Sequence, residues 1–484
     1  MYNIILLIMD CARSKSIGCY DYKADFDLTP NIDSLAGKAV RYTNNYSPGT
    51  WTPVSNASIF TGLYPSEHGI NGTKLFFNKF DYALSEILAQ YRYETYGLFA
   101  NAFFDSFFGF NRGFNYCPVL WDRVGGLWPV SQDVSEILIK SPGTLATLKR
   151  LGIPRFIYEY LTKGVINQIY RKNFTVRRNS TFSTNRILNR ASRIYSDTKN
   201  PFFMCINLMQ CHRDFNPPST VRRRLNLKNS DVEQNPNKHF AGVLNIDLEE
   251  FDLLSKLYQG EHHYLDMKVG EFINSISKDK GKWDNTLFIL TSDHGLHVGE
   301  KKMWPIPLFD VFFSVYNELV RVPLIIKYPK GVADQNDPTR LVQTHDIFAT
   351  ILDLLDIKNV YSGESSVSLL SSKKREYCIS QLVNCDYQIE SCGKINPRWE
   401  EEFPYWHQLG SPKTAIVDSN NMKYIFFDKN LEEIYDLSND LYESRNLLRG
   451  ESVTDFNIKE SKRILEKLST VTYTKHGTRN VKNA

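Results

Sequence analysis

Residues 3–10 read Asn3-Ile4-Ile5-Leu6-Leu7-Ile8-Met9-Asp10 and decide the fold. A continuous apolar run that ends in a carboxylate is typical of a strand buried on both faces of a parallel sheet. The run therefore predicts a central strand that has Asp10 at its C-terminal end.

Two later runs have the same form. Residues 286–292 precede Asp293 and His294, and residues 201–209 lead to His212. In open α/β sheets ligands bind beyond the carboxyl ends of the strands. We therefore expect these polar side chains and Asp10 to meet at one edge of the sheet.

Helical patterns at 82–90 and 247–277 alternate with the strands, which predicts an α/β domain whose mostly parallel central sheet is flanked by helices. Residues 423–427 and 433–437 are typical of two short antiparallel strands joined by a turn at 428–430, and 458–468 of a helix. The predicted division is a catalytic α/β domain at 1–375 and a smaller C-terminal subdomain at 376–484.

The composition bounds the class of protein. The 484 residues include 58 basic and 54 acidic side chains, a balance that excludes a highly charged tail protein, and nucleic acid is not an expected partner. With 42% apolar residues, disorder is excluded for most of the length. No apolar run approaches the roughly 20 residues that cross a bilayer. Eight cysteines without a CxxC pair, and no basic leader, favour reduced thiols and a cytoplasmic location.

One segment departs from this balance. Residues 140–199 contain 13 Lys or Arg against Glu159 and Asp197, with apolar residues at helical spacing. We interpret a basic helical insertion at about 120–200 as a solvated helical pair packed on the core. The alternative is a lid that binds anions or a membrane surface.

Residues 51–62 predict a helix that has Thr52 as its N-cap and Pro53 as its first residue. A hydroxyl at the positive end of the helix dipole favours an anionic substrate. Alone, this pattern indicates plain capping. Together with Asp10, Asp293 and His294 it offers a hydroxyl nucleophile and ligands for a divalent cation.

These segments, in their order along the chain, resemble the sulfatase family of the alkaline phosphatase superfamily. The segments that carry the resemblance are 10–13, 29–36, 52–69, 207–212 with Pro217 and Pro218, 291–295 with Gly299 and Glu300, 321–326, and 433–437 with Asp440, Glu443, Asn446 and Leu447.

The resemblance implies an alkaline-phosphatase-like α/β core and one divalent ion (Ca, Mg, Mn or Zn) held by Asp10, Thr52, Asp293 and His294. Thr52 would attack the sulfur or phosphorus of an anionic ester, and His212 would contact the anion or protonate the leaving oxygen. The groups expected to stabilise negative charge in the transition state are Arg13, Asn71 and a lysine, either Lys301 or Lys302.

Four positions depart from the family pattern. Sulfatases proper have a cysteine or serine at the Thr52 position, which is converted to formylglycine, followed by a proline at the Val54 position and an arginine at the Asn56 position. Formylglycine is not expected from threonine. Related phosphodiesterases and phosphoglycerol or phosphoethanolamine transferases carry threonine there. Cys11 stands where many relatives have a second aspartate, and this replacement favours a site with one metal ion rather than two. We interpret Cys11 as a buried spectator thiol, with zinc ligation as the alternative.

The resulting hypothesis is a metal-dependent hydrolase of sulfate esters, phosphate esters or phosphodiesters that uses Thr52. The alternatives are a phosphoryl-group transferase and a non-catalytic binding protein that has the sulfatase fold. Asn101, after the apolar run 96–100, is interpreted as a turn residue, with a pocket role as the alternative. A homo-oligomer is left open.

Overall fold

The computed structural model describes residues 1–20, 27–71, 77, 82–118, 180–227, 234, 248–298, 314–332, 337–358, 365–382, 412–427, 430–449, 459 and 462–463. The strands within these residues, in chain order, are β1 Asn3–Met9, β2 Val40–Arg41, β3 Asn44–Tyr46, β4 Glu94–Phe99, β5 Phe202–Leu208, β6 Thr286–Thr291, β7 Leu324–Lys327, β8 Leu341–Gln343, β9 Tyr377–Leu382, β10 Lys413–Asp418, β11 Met422–Phe427 and β12 Asn430–Asp436.

The largest sheet has six strands in the order β2-β7-β6-β1-β5-β4. Strand β1 pairs in parallel with β5 and with β6, so that Ile4 lies beside Phe203 and Leu287. All seven residues of β1 are buried, as its unbroken apolar run predicts. Strand β4 is parallel to β5, whereas β7 is antiparallel to β6, so the sheet is mostly parallel. The predicted fold class is confirmed.

Helices connect and cover these strands. Those in the described residues are α1 Pro30–Ala36, α2 Thr52–Thr61, α3 Pro65–His68, α4 Leu84–Gln90, α5 Ser180–Asp197, α6 Ser219–Arg224, α7 Leu248–Ile276, α8 Lys280–Asp284, α9 Asn317–Val320 and α10 Asp346–Leu354. Helix α7 packs against α5 and α1, and α5 also packs against β4 and β5. Helices α4 and α7 confirm the two helical patterns within one or two residues of their predicted ends.

A second sheet lies in the C-terminal part of the chain. It is antiparallel, with the order β12-β11-β10-β9. Strands β11 and β12 confirm the two predicted strands, while most of the turn between them lies outside the described residues. Of the predicted helix at 458–468, the structure describes Lys459, Lys462 and Arg463, which are helical.

Several expectations remain predictions. Most of the basic segment 140–199 lies outside the described residues, and its described end forms α5. The division near residue 375, the membrane-surface contact, the homo-oligomer and the cytoplasmic location also stay predictions. Within the described residues, no helix has the length and apolarity needed to pass through a lipid bilayer.

A buried ion pair ties the C-terminal sheet to the segment that precedes β7. Lys423 of β11 donates hydrogen bonds to Glu443 Oε1 at 2.5 Å and to Asn317 Oδ1 at 2.9 Å, and both charged side chains are fully buried. The backbone N–H of Asn317 donates in turn to the Glu443 carboxylate. The ion pair therefore holds the first residue of α9.

Replacing one partner of this pair should destabilise the protein. In Lys423→Met the Glu443 carboxylate loses its buried counter-ion, and we expect a loss of about 3 kcal/mol in the free energy of unfolding. Lys374→Met is the matched control, because Lys374 pairs with Asp337 while its side chain is 63% exposed, and such pairs contribute about 1 kcal/mol or less. Urea unfolding followed by fluorescence measures both, and equal losses in the two variants would contradict the prediction.

Candidate active site

The carboxylate of Asp10 lies just beyond the end of β1, where the parallel pairing places it between the ends of β5 and β6. The side chain is fully buried, and its Oδ2 accepts hydrogen bonds from Asn101 Nδ2 at 2.9 Å and Asn207 Nδ2 at 3.4 Å. Asn101 Oδ1 also accepts a hydrogen bond from the backbone N–H of Phe103. Asn101 therefore contacts both its own turn and the Asp10 carboxylate.

Asp293 and His294 follow β6 and are also buried. Oδ1 of Asp293 accepts the backbone N–H groups of Cys11 at 3.3 Å and His294 at 2.9 Å. Burial, and then the nearby Asp10 carboxylate, raise the pKa of the Asp293 carboxyl above its ordinary value. A cation bound between the two buried carboxylates would offset the repulsion that raises the pKa of Asp293.

Thr52 brings a hydroxyl to the same place. Its side chain is 2% exposed, and Oγ1 lies 3.2 Å from His294 Nε2. Helix α2 begins at Thr52 and its N-cap is the extended Trp51, so the prediction of Thr52 as N-cap is wrong by one residue. Thr52 is instead the first helical residue, and its hydroxyl contacts His294. The first-turn N–H groups still place the positive end of the helix beside this oxygen.

Asn56 has a role that the sequence analysis did not assign. It lies one turn after Thr52, and its Nδ2 lies 2.8 Å from the Thr52 carbonyl oxygen and 3.2 Å from Asp293 Oδ2. The spacing of four residues, which puts two side chains on one helix face, is the signal that could have found it. Asn207, which donates to Asp10, could have been found because it is the single amide side chain in the otherwise apolar strand β5.

The other end of α2 is also defined. Gly62 ends the helix in a left-handed conformation with φ 72°, and its N–H donates to the Ser58 carbonyl. A side chain at Gly62 would press on the Phe348 ring of α10. Together these contacts keep α2 and its first hydroxyl in place.

The donor set fits a divalent cation. The second carboxylate oxygen of Asp10, Oδ1, is buried and has no hydrogen-bond partner among the described residues, although such an oxygen is costly to leave unpaired. One donor atom each from Asp10, Cys11 and His294 lies within 4.8 Å of the others. Asp293 and Thr52 complete the cluster through their contacts with His294. The four predicted metal ligands are therefore brought together.

The remaining predicted residues are placed less directly. The guanidinium of Arg13 donates to Ser16 Oγ and to the Leu296 carbonyl, and it lies over the Tyr258 ring. His212 is half-buried in the turn after β5, and Asn71 is half-buried after α3. Lys301 and Lys302 lie outside the described residues. The catalytic roles of all five stay predictions.

Gly295 allows the backbone after His294 to pass α9 closely. Its N–H donates to the Leu319 carbonyl at 2.7 Å, and the imidazole Nδ1 of His294 donates to the Gly295 carbonyl at 2.8 Å. A Cβ on Gly295 would overlap the backbone oxygen of Glu318. Since α9 is held in turn by Lys423 and Glu443, the C-terminal sheet supports the position of His294.

The chain is similar to proteins of known family. The family model described as Sulfatase matches residues 2–357, and that described as N-sulphoglucosamine sulphohydrolase, C-terminal, matches residues 306–470. The uncharacterized sulfatase YidJ of Escherichia coli is 24% identical over 464 residues, which cover 92% of this chain and 83% of that protein.

Two further proteins show the same similarity. An N-acetylglucosamine-6-O-sulfatase of Bacteroides thetaiotaomicron is 23% identical over 491 residues, covering 92% of this chain and 82% of its own. The solved phosphonate monoester hydrolase of Agrobacterium radiobacter has a TM-score of 0.65 at 16% identity, covering 97% of this chain and 96% of its own. The second comparison shows a shared fold.

Adding one methyl group at Gly295 should disturb the site. In Gly295→Ala the clash with α9 must displace either Glu318 or the Asp293-His294 turn, and we expect a loss of about 2 kcal/mol in stability. Gly281→Ala is the control, because the nearest atom to its Cβ is 3.8 Å away. Thermal unfolding measures both variants; an unchanged melting temperature in Gly295→Ala would show that α9 does not confine the turn.

Proposed function

The chain belongs to the sulfatase family of sulfuric and phosphoric ester hydrolases, and from this premise we propose that it is a metal-dependent hydrolase of sulfate or phosphate esters whose nucleophile is Thr52. The observation that carries the proposal is the 3.2 Å separation of Thr52 Oγ1 and His294 Nε2 beside the buried Asp10 and Asp293. A buried hydroxyl among these groups has the surroundings of an activated nucleophile.

A divalent cation held by Asp10, Thr52, Asp293 and His294 would lower the pKa of the hydroxyl and hold oxygens of the substrate. The chain's own groups prepare this arrangement. Asn56 and two backbone N–H groups orient Asp293, and the Gly295 carbonyl fixes the His294 ring by accepting from Nδ1. The positive end of α2 attracts the anionic group of the ester.

In the proposed reaction the Thr52 hydroxyl releases its proton to solvent and its oxygen bonds to sulfur or phosphorus, while the bond from that atom to the oxygen of the ester alcohol breaks. His212, after β5, is proposed to protonate the leaving oxygen. Water then cleaves the covalent ester and restores the Thr52 hydroxyl. Threonine cannot release the product by the elimination that a formylglycine hydrate allows, so this step supports phosphate esters and phosphodiesters over sulfate esters as substrates.

The same threonine supports a transferase as a second candidate. An alcohol acceptor in place of water would take the phosphoryl group from Thr52 without any other change in the site. Product analysis over a range of glycerol concentrations separates the two, because a transferase forms the phosphate ester of the acceptor in preference to the hydrolysis product even when the acceptor is dilute.

Removing the hydroxyl tests the proposal. We expect Thr52→Ala to lower kcat by about 1,000-fold or more, because loss of a covalent nucleophile removes the attacking atom. Thr52→Ser keeps the hydroxyl and should keep measurable turnover. The measurement compares an aryl sulfate, a phosphate monoester and a phosphodiester with one metal-stripped preparation that is reloaded with manganese or zinc.

Metal-dependent phosphodiester turnover that is lost in Thr52→Ala and retained in Thr52→Ser is the expected result. Turnover of the aryl sulfate alone would reverse the expected preference for phosphate esters but would keep Thr52 as the nucleophile. Equal turnover by Thr52→Ala and the parent protein would remove Thr52 from the mechanism.

A further inference from the structure

Cys11 lies inside the cluster of donor atoms rather than beside it. Its Sγ and one donor atom each from Asp10 and His294 lie within 4.8 Å of one another, a spacing that a single ion can bridge. All three side chains are at most 1% exposed. The thiol therefore shares a buried site with a carboxylate and an imidazole.

The unpaired oxygen of Asp10 indicates that this site holds a ligand. Oδ2 of Asp10 is taken up by two amide groups, but the buried Oδ1 has no hydrogen-bond partner among the described residues. An unpaired carboxylate oxygen in a protein interior is destabilising unless a cation or a hydrogen-bond donor reaches it. A cation there would also contact the neighbouring sulfur.

The backbone of Cys11 has a conformation that a cysteine rarely adopts. Its φ of 65° is in the left-handed region, which non-glycine residues rarely adopt. The Cys11 carbonyl accepts the hydroxyl of Tyr258 at 2.6 Å, and the Cys11 N–H donates to Asp293 Oδ1. Helix α7, which carries Tyr258, thus fixes the turn that presents the thiol.

The tautomer of His294 completes a mixed donor set. Because the Gly295 carbonyl can only accept, Nδ1 carries the proton and Nε2 presents a lone pair. Together with the Asp10 and Asp293 carboxylates, the Cys11 sulfur and the Thr52 hydroxyl, this nitrogen makes a mixed set of oxygen, sulfur and nitrogen donors. Zinc binds sulfur and nitrogen ligands, whereas calcium and magnesium prefer six or more oxygen ligands.

We propose that Cys11 is a thiolate ligand of the metal in this site and that it makes the site selective for Zn²⁺ over Ca²⁺ and Mg²⁺. The inference deepens the metal-dependent function proposed above and rests on it for the presence of a metal. On binding, the S–H bond breaks, its proton goes to solvent, and the sulfur bonds to the ion with no change of oxidation state.

The full-length protein, stripped of metal and titrated with Co²⁺, tests the ligand directly. Cobalt replaces zinc in such sites and gives a near-ultraviolet charge-transfer band when sulfur is bound to it. We expect the band in the parent protein, its loss in Cys11→Ser, and its retention in the control Cys378→Ser, which changes a buried cysteine of the C-terminal sheet.

Selectivity is tested by exchanging the ligand type. Cys11→Asp keeps a charged ligand, and aspartate tolerates the left-handed conformation better than most residues. Competition titrations with Zn²⁺ and Ca²⁺ should show the preference for zinc falling by at least about 10-fold in this variant. An unchanged preference would overturn the selectivity part of the proposal.

X-ray absorption of the zinc-loaded parent protein keeps the test valid if a variant fails to fold. One sulfur neighbour at about 2.3 Å from zinc is the expected result. Zinc bound with only oxygen and nitrogen neighbours would overturn the Cys11 proposal while leaving the metal-dependent hydrolase intact. A cobalt–sulfur band in a protein that cleaves none of the esters would do the opposite, since it would support Cys11 and reject the proposed function. No binding of Co²⁺ or Zn²⁺ would overturn both.

Discussion

The buried carboxylate of Asp10 is the constraint on which the site depends. It follows a strand whose neighbours on both sides are parallel, so the ends of β5 and β6 necessarily lie beside it. Asn207 reaches Asp10 from one side and the Asp293 turn approaches from the other. A charge placed this deep needs either amide donors or a cation, and among the described residues amides reach only one of its two oxygens.

A line of backbone contacts extends from this centre to the C-terminal sheet. His294 is oriented by the Gly295 carbonyl, Gly295 is in contact with α9, and α9 begins at Asn317, which Lys423 and Glu443 hold. The second sheet therefore does more than cover an apolar face. Its buried ion pair determines where α9 lies, and the position of α9 limits the position of the imidazole.

The chemistry expected of the site follows from the types of three of its residues. Thr52 supplies an alcohol, which suits transfer of a phosphoryl group to water or to another acceptor. Cys11 supplies sulfur, and Asn56 supplies an amide that orients Asp293 where an arginine would bring a charge. These three positions surround the same two carboxylates, so a change in one alters the electrostatic environment of the others.

The sequence by itself determined the central strands, the long helix α7, the strands β11 and β12 and the convergence of Asp10, Asp293 and His294, because these depend on apolar periodicity and on the shared edge of parallel strands. The expectation that Thr52 joins them rested on its place at a helix start and on the resemblance to sulfatases. Only the tertiary structure decided which contacts those residues make. The hydrogen bonds of Asn56 and Asn207, the close approach of Gly295 to α9, and the entry of Cys11 into the donor cluster join residues that are far apart along the chain. Cys11 and Asp293, for example, are hydrogen-bonded although they are 282 positions apart. No local pattern encodes such pairings, since they arise from how packed elements meet in space.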